Sequence, residues 1–267
     1  MCQDILFLIM ETNGTHHRAD FEIMAPVGSW ESLASALYAG ADAVYFGIEG
    51  LNMRSRSSAN FTADDMAHIA TDCTARGVKT YLTVNTIIFD GDTELMHRII
   101  DRAKESGITA IIAADIAAIM YARSIGVEVH ISTQVNVTNI ETVRFYSQFA
   151  DVMVLAREVN LEQVKAITDA IERENICGPS GSRIRIEMFC HGALCMAVSG
   201  KCYMSLHEMN SSANRGACNQ ICRRAYTVRD RDTGEELDIE NQYIMSPKDL
   251  KTIHFLNKMV DAGVRIF

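Results

Sequence analysis

Five of the eight cysteines lie in one short stretch, residues 187–222. Four of them follow the spacing Cys-x6-Cys-x15-Cys-x3-Cys, namely Cys195, Cys202, Cys218 and Cys222. Thiolates are the usual anchors of iron–sulfur clusters, and four thiolates also suit a structural zinc ion. The spacing matches neither the common zinc patterns nor the usual ferredoxin runs. Two such cysteine pairs within one short segment are nevertheless unlikely by chance. A metal or cluster site is favoured for this reason, with structural cysteines and a nucleophilic cysteine as the alternatives.

The local sequence indicates how these thiols could meet. Cys218 and Cys222 are four residues apart, which on a helical turn places both sulfurs on one face. Cys195 and Cys202 flank a Ser-Gly pair that can reverse the chain and bring the second thiol back towards the first. Neighbouring residues of a strand point to opposite sides, so Cys190 and His191 are not expected to form a catalytic pair.

Length and composition limit the class of protein. A chain of 267 residues with 48% hydrophobic content has the size of one α/β barrel. A formal charge of -9 argues against nonspecific coating of nucleic acid, although a local basic patch could still bind it. No apolar run reaches the roughly 18 residues of a membrane span, and no signal peptide is recognisable. Eight cysteines in a chain of this length suit a reducing compartment. We therefore predict a cytoplasmic protein without a membrane partner.

Strands alternate with helices from about residue 21 onward, and residues 1–19 read as a loose leader. The predicted strands are 21–25, 43–46, 79–84, 110–113, 127–131, 152–155, 184–189 and 264–267. Ser29 and Thr62 are predicted helix caps, and 247–262 is a predicted helix. Eight such units predict a TIM-like (β/α)8 barrel over residues 20–267. Residues 190–245 form a cysteine-rich insertion after strand seven that ends in a hairpin of strands 226–229 and 243–245. The chain is expected to be truncated after strand eight.

Polar residues lie at or just past the carboxyl ends of successive predicted strands. In TIM barrels this end carries the active site, so their clustering predicts a binding mouth. Each also has a structural interpretation: Asn85 as a turn or helix cap, Arg157 and Glu158 as a surface ion pair, and His130 as a core histidine. The predicted substrate-binding residues are Arg54, Asn85, His130, Gln134, Arg157 and Glu158.

The chain resembles the peptidase U32 family, also called collagenase-like proteases, over nearly its whole length. The signature-like stretch is Glu187-x-Phe189-x-His191-Gly192-Ala193-Leu194-Cys195-x4-Gly200-x-Cys202-x-Met204-Ser205. Further matching stretches are Ala25-Pro26-Val27-Gly28, Gly40-Ala41-Asp42-Ala43-Val44-Tyr45-Phe46-Gly47, His130-x-Ser132-x-Gln134-x-Asn136, Leu155-Ala156-Arg157-Glu158 and Ser246-Pro247-Lys248-Asp249-Leu250.

Several members of this family resemble iron–sulfur proteins that support oxygen-independent hydroxylation of tRNA uridine, ribosomal RNA cytidine or the ubiquinone ring. The resemblance implies prephenate as a co-substrate in the RNA-directed branches. The pattern Asn214-x-Gly216-x-Cys218-x3-Cys222-Arg223 is most similar to the branch that makes 5-hydroxyuridine at the tRNA wobble position. It implies that Cys195, Cys202, Cys218 and Cys222 bind a [4Fe-4S] cluster. Members of this branch continue into a C-terminal β-rich domain, which this chain is expected to lack.

Three functions are therefore weighed. The first is hydroxylation of a tRNA base, with Glu187 and His191 as proton-transfer residues and with Arg54, Asn85, Gln134 and Arg157 gripping a small anionic metabolite or a phosphate. The second is peptidase activity, as the family name implies, although the sequence lacks a His-Glu-x-x-His helix and a Gly-x-Ser-x-Gly elbow. The third is a zinc- or cluster-stabilised scaffold that binds RNA, a partner subunit or a second copy of the chain.

Overall fold

Seven parallel strands, hydrogen-bonded in chain order, form the central sheet of the protein. The computed structural model describes residues 17–48, 50–53, 55, 61–239 and 248–267. The strands are β1 (Met24–Pro26), β2 (Ala43–Phe46), β3 (Lys79–Val84), β4 (Ala110–Ala113), β5 (Glu128–Ile131), β6 (Val152–Val154) and β7 (Arg185–Glu187). Because parallel strands need crossover connections, each strand is followed by a return segment across the outside of the sheet.

The crossovers carry six helices. They are α1 (Trp30–Tyr38), α2 (Asp65–Thr74), α3 (Thr93–Glu105), α4 (Ile116–Ser124), α5 (Ile140–Tyr146) and α6 (Leu161–Glu174). Ser29 caps α1 as predicted, since its side chain accepts the Ser32 N–H. The prediction that Thr62 caps α2 is wrong: the N-cap is Asp64, and Thr62 instead donates to the carboxylate of Asp65. Within the described residues, no helix has the length and apolar character that crossing a bilayer demands.

The end of the chain closes the ring of strands. Ile266 pairs in parallel with both Glu22 and Glu187. Phe267 N–H donates to the Glu22 carbonyl over 2.9 Å, and Met188 N–H donates to the Ile266 carbonyl over 3.0 Å. The predicted eighth strand is therefore present as a short bridge between β7 and the start of β1. This arrangement confirms the TIM-like α/β fold.

The two faces of the strands bury different kinds of residues. The outward face packs against the helices and is apolar, with fully buried Val44, Leu82, Ile111, Ile131 and Met153. The inward face has only a small apolar cluster, formed by Ala43, Tyr81, Ala110 and Ile112 against Met24 and Tyr45. Polar side chains occupy much of the remaining interior, and they come from alternate strands as barrel layers do: Glu22, Tyr81, His130 and Glu187.

The region after β7 departs from two predictions. The predicted helix 247–262 is wrong over its first part, because β11 (Leu250–Lys251) pairs antiparallel with β8 (His191–Gly192). The later helix, α8, covers only Leu256–Asp261. Thr252 holds the preceding stretch extended, since its N–H and hydroxyl both donate to the Cys190 carbonyl, over 3.0 and 2.9 Å.

The predicted hairpin exists with a different second strand. Strand β9 (Tyr226–Arg229) pairs antiparallel with β10 (Glu236–Ile239). The turn between them contains Asp230, whose carboxylate accepts the N–H groups of Asp232 and Thr233. The predicted strand 243–245 lies outside the described residues. Before this hairpin, the insertion contains one short helix, α7 (Met204–Met209).

Candidate functional site at the barrel mouth

Residues 190–224 fold back over the carboxyl ends of the strands, and we call this segment the cysteine cap. Ser199 lies at its centre and is buried. Arg157, which follows β6, donates to the Ser199 hydroxyl from Nη2 over 2.6 Å and from Nε over 3.1 Å. Asn136, which follows β5, donates to the Ser199 carbonyl over 3.0 Å. These charge-assisted and amide hydrogen bonds fix the loop between Cys195 and Cys202 to the barrel.

A second set of contacts fixes the later half of the cap to the loops after β2 and β3. Arg215 pairs with the carboxylate of Asp92 over 2.7 Å, and its guanidinium lies 4.1 Å from the centre of the Phe89 ring. Gly216 adopts a left-handed conformation, with φ of 82°, against the backbone of Asn52. A Cβ atom there would overlap the Asn52 carbonyl oxygen and the Ser55 hydroxyl, so only glycine fits this approach without movement.

The cap brings the four predicted cysteine ligands into one region. The pKa of Cys222 is raised, first by burial and then by the neighbouring Cys218, with further contributions from Cys195 and Cys202. Arg223 acts in the opposite direction and favours the thiolate. All four thiols are free, with Cys195 exposed and the others half-buried. Among the described residues, no three His, Cys, Asp or Glu side chains are close enough to share one metal ion.

The four thiols have the donor chemistry of a metal or cluster site. Free cysteine sulfurs are the usual ligands of iron–sulfur clusters and also of structural zinc, and the Arg223 guanidinium lies near Cys222. In the type of donor, the residues therefore fit a [4Fe-4S] cluster as well as zinc, and Cys195, Cys202, Cys218 and Cys222 would hold either group.

A polar cavity of about 110 Å³ lies between the barrel mouth and the cap. Three amide side chains line it, so we call it the amide pocket. Asn85 donates from Nδ2 to the Ser132 hydroxyl and to Gln134 Oε1, both over 3.3 Å. Asn214 accepts the Cys202 N–H on Oδ1 over 3.0 Å, which connects the pocket to the backbone of one of the four cysteines. The lining residues are Met53, Asn85, Thr86, Ile87, Ala114, Asp115, Gln134, Gly200, Lys201 and Asn214.

His130 and Glu187 lie inside the barrel rather than in this pocket's lining. The His130 ring is 2% exposed and packs 4.5 Å from the Tyr81 ring, between centres. Its Nε2 lies 3.2 Å from Glu128 Oε1, whereas its buried Nδ1 has no protein partner among the described residues. Within the same described part of the chain, Glu187 Oε2 is likewise buried and unpartnered.

The charge of Glu187 depends on this environment. The pKa of Glu187 is raised to about 8, first by burial and then by the negative charge of Glu22, while Arg185 partly offsets both effects. Glu187 is therefore largely protonated at neutral pH and can donate, rather than accept, a proton. His191, the other predicted proton-transfer residue, is exposed on β8 and lies opposite Lys251.

The remaining predicted residues are dispersed. Arg157 is occupied by Ser199, Glu158 is exposed beside it, and Arg54 lies outside the described residues. Thus Asn85 and Gln134 are the predicted substrate-binding residues that line the amide pocket. Sequence reasoning missed Thr86, although it directly follows Asn85 at the end of β3.

Sequence reasoning also missed the charged cluster around Glu22. Burial alone would raise the pKa of Glu22, but hydrogen bonds from Lys79, Tyr81 and Arg185 outweigh it and lower the pKa to about 2. The donor–acceptor distances are 2.7, 2.6 and 2.7 Å, respectively. A signal existed, because Lys79 and Arg185 begin otherwise apolar strands at inward-facing positions.

Comparison with characterised proteins places these features in a family. The chain is 70% identical to "Collagenase" from Porphyromonas gingivalis strain W83 over 248 residues, which cover 93% of this chain and 60% of that protein. It is 36% identical to "23S rRNA 5-hydroxycytidine C2501 synthase" from Escherichia coli K12, covering 92% of this chain and 35% of that protein. It is 32% identical to "tRNA hydroxylation protein P1" from Bacillus subtilis 168, covering 91% and 56%. The chain therefore spans about 60% of the collagenase-named relative.

The fold comparison agrees. The solved structure of the U32 peptidase Mk0906 superposes with a TM-score of 0.51 at 15% identity, covering 65% of this chain and 70% of that one. At this identity the likeness concerns the fold alone. The sequence model described as Peptidase family U32 matches residues 28–267. The predicted resemblance is confirmed, and the chain belongs to peptidase family U32.

Proposed function

We propose that the chain supports oxygen-independent hydroxylation of a pyrimidine base in RNA, with the wobble uridine of tRNA as the substrate. One observation carries the proposal: the cysteine cap gathers four free thiols at the barrel mouth, beside a polar pocket. Relatives named for rRNA and tRNA hydroxylation support the reaction class. The proposal concerns the whole protein's activity, of which this chain supplies the barrel and the cap.

In this proposal Cys195, Cys202, Cys218 and Cys222 hold a [4Fe-4S] cluster. When bound, such a cluster supplies one-electron redox chemistry or a Lewis-acidic iron. The protein's own contribution is positioning. Arg157 and Asn136 hold Ser199 between the first two cysteines, and Gly216 lets the segment before Cys218 approach the barrel closely.

Proton transfer is proposed for Glu187 and His191. Glu187 holds a proton at neutral pH because its pKa is about 8, so its role is that of an acid. His191 is exposed at the edge of the cap and can exchange protons with solvent. Prephenate, implied by the family resemblance, remains the proposed co-substrate. The Arg157 guanidinium, which the sequence predicted to bind such an anionic metabolite, is already hydrogen-bonded to Ser199.

Peptide hydrolysis is the second candidate, because the relative with 70% identity is named a collagenase. A peptidase needs an activated nucleophile or an activated water molecule. In the described part of the chain, no three potential ligands share a metal ion. The candidate thus rests on the names of the family and of this relative.

The test is anaerobic purification of the protein, with iron and sulfide quantification and a visible absorption spectrum. We expect about four irons per chain, lost in Cys218→Ala and retained in the matched control Cys177→Ala, a half-buried cysteine outside the cap. tRNA nucleosides from a strain lacking the gene are then analysed by mass spectrometry, with both variants as complementing alleles. We expect 5-hydroxyuridine to be lost without the gene and restored by Cys177→Ala only. Cleavage of gelatin by a metal-free or zinc-loaded protein, with tRNA unchanged, would favour the peptidase instead.

A further inference from the structure

We propose that the amide pocket holds a single unpaired pyrimidine base of the RNA substrate. This inference rests on the proposed function and assigns a subsite within it. In this proposal the base is bound by Thr86, Gln134 and Asn214, each of which has a hydrogen-bonding group without a partner among the described residues.

The size of the pocket limits its ligand to a small group, no larger than a single ring. Its volume is about 110 Å³, below the roughly 150 Å³ of a closed cavity that accepts benzene and far below the roughly 300 Å³ at which pockets for drug-sized molecules begin. The pocket is partly open to solvent, so the sugar and phosphates of a nucleotide can remain outside. Met53, Ile87 and Ala114 contribute apolar contact surface for a flat ring.

The pocket also has unused hydrogen-bonding capacity. Thr86 Oγ1 is buried without a partner in the described structure. Gln134 accepts hydrogen bonds from Asn85 and Ser132 on Oε1, while its Nε2 donates to no described residue. Asn214 accepts on Oδ1 from Cys202, and its Nδ2 likewise has no acceptor in the described part of the chain.

Buried polar groups normally have partners, so the buried Thr86 hydroxyl calls for a ligand. The side chains of Gln134 and Asn214 line the same cavity, and their amide N–H groups suit a ligand that carries acceptors. A pyrimidine base offers at least two acceptors around its ring, either two carbonyl oxygens or one carbonyl oxygen and a ring nitrogen.

The charge balance of the lining favours a neutral ring over an anion. Lys201 and Asp115 are the two charged lining residues, and they have opposite signs. The Asp115 carboxylate also accepts the N–H groups of Ala117 and Ile88, so it stays fixed in the wall. Lys201 is exposed and suits the phosphate next to an inserted base.

The position of the pocket matches chemistry on a base. Lys201 and Asn214 belong to the cysteine cap, and the Asn214 side chain is bonded directly to the backbone of Cys202. Proteins that modify a base take it out of the stack and hold it by its hydrogen-bonding edge. A base in the amide pocket would lie beside the thiols that the proposed function assigns to the cluster.

The experiment compares two fluorescent five-nucleotide RNAs, one with a central uridine and one with an abasic centre, by anisotropy titration. We expect the protein to bind the uridine RNA roughly tenfold more tightly, since only this RNA can place the hydrogen-bonding edge of a base in the pocket. Gln134→Glu keeps the acceptor for Asn85 and Ser132 but removes the free N–H donors. Thr86→Val removes a hydroxyl that has no protein partner, so the melting temperature should not fall. Each variant should reduce the preference to about twofold or less, whereas Gln148→Glu, an equal charge change in the exposed turn that follows α5, should retain it.

The proposal is overturned if the wild-type protein shows no preference, or if both folded variants retain it. It is also overturned if malonate abolishes the preference while free uridine does not, because the pocket would then hold a carboxylate. The RNA nucleoside analysis separates this inference from the proposed function. If the RNA is hydroxylated but the protein shows no preference for the uridine RNA, the pocket assignment is wrong and the proposed function stands. If the preference is present but the RNA is not hydroxylated, the proposed function is wrong and the pocket assignment stands.

Discussion

Arg157 and Ser199 are joined across the barrel mouth, with Nη2 2.6 Å from the serine hydroxyl oxygen. The arginine follows β6 and the serine lies 42 residues later, in the middle of the cysteine cap. A contact between segments so distant in sequence closes a long loop and so restricts the conformational freedom of the cap. The guanidinium therefore acts as a structural link between the fold and the four thiols.

We predict that Arg157→Met weakens this link. Loss of the charge-assisted hydrogen bonds, with Ser199 left buried, should lower the free energy of unfolding by about 1–3 kcal/mol. It should also reduce the iron retained after anaerobic purification. Urea denaturation and iron quantification measure the two effects. Arg98→Met, on the exposed face of α3, is the control and should change stability by less than about 0.5 kcal/mol. Equal behaviour of the two variants would contradict the assigned role.

Gly216→Ala should disrupt the approach of the cap to the loop after β2. Gly216 and Gly234 have similar left-handed backbones, with φ of 82° and 75°. Alanine at either position incurs the left-handed penalty of about 1–2 kcal/mol. Only at Gly216 would the new methyl group overlap Asn52 and Ser55, whereas nothing lies within 4 Å at Gly234. We therefore expect Gly216→Ala to lose iron and melt at a lower temperature than Gly234→Ala. Matching iron content and melting temperatures would show that the cap tolerates displacement here.

The strands and most helices were predictable because their signals are local. Apolar runs separated by glycines specify β2, β3 and β4 residue for residue, and Ser29 marks the start of α1. The helix predicted over 247–262 is wrong over its first part because Thr252 bonds to the Cys190 carbonyl, 62 residues earlier in the chain. No local pattern encodes that competition between helix formation and a tertiary contact.

The site was predictable in part for the same reason. Asn85 follows β3 and Gln134 follows β5, so the barrel places both at the same end of the strands, and both line the amide pocket. Whether a basic side chain is free to bind substrate depends on its partners in the folded protein. The Arg157 side chain is hydrogen-bonded to Ser199. His130 and Glu187 point into the interior, which the alternation of a strand allows but does not distinguish from the mouth.

Glu187→Gln should change how stability depends on pH. The pKa of Glu187 is about 8 in the folded protein, compared with about 4.3 in an unfolded chain. Between these values the folded state binds more protons, so stability should fall as pH rises from about 4.5 to about 8. Glutamine mimics the protonated acid and should remove this decline, leaving the variant more stable than wild type above pH 8. Urea denaturation at half-unit pH intervals tests this. An unchanged slope in the variant would show that Glu187 does not titrate in this range.

Glu22→Gln should instead change how the free energy of unfolding depends on pH in the acidic range. The Glu22 carboxylate accepts hydrogen bonds from Lys79, Tyr81 and Arg185, and its pKa is lowered to about 2. Its stabilisation is present above the ordinary carboxyl pKa near 4.5 and should be lost as pH falls towards 2. In the variant, Lys79 and Arg185 lose their shared anion, although both are partly exposed and remain hydrated.

We expect Glu22→Gln to lower the free energy of unfolding by about 2–3 kcal/mol at pH 7, less than for a fully buried pair because water screens the two cations. The difference from wild type should shrink towards pH 2, where the wild-type carboxylate is protonated. Lys79→Met is the matched comparison, because Arg185 and Tyr81 still bind the carboxylate in that variant. It should lower the free energy of unfolding by less than Glu22→Gln does. Urea denaturation of the three proteins at pH 7 and pH 3 measures both effects. A constant difference between Glu22→Gln and wild type at the two pH values would show that the charge of Glu22 does not stabilise the barrel.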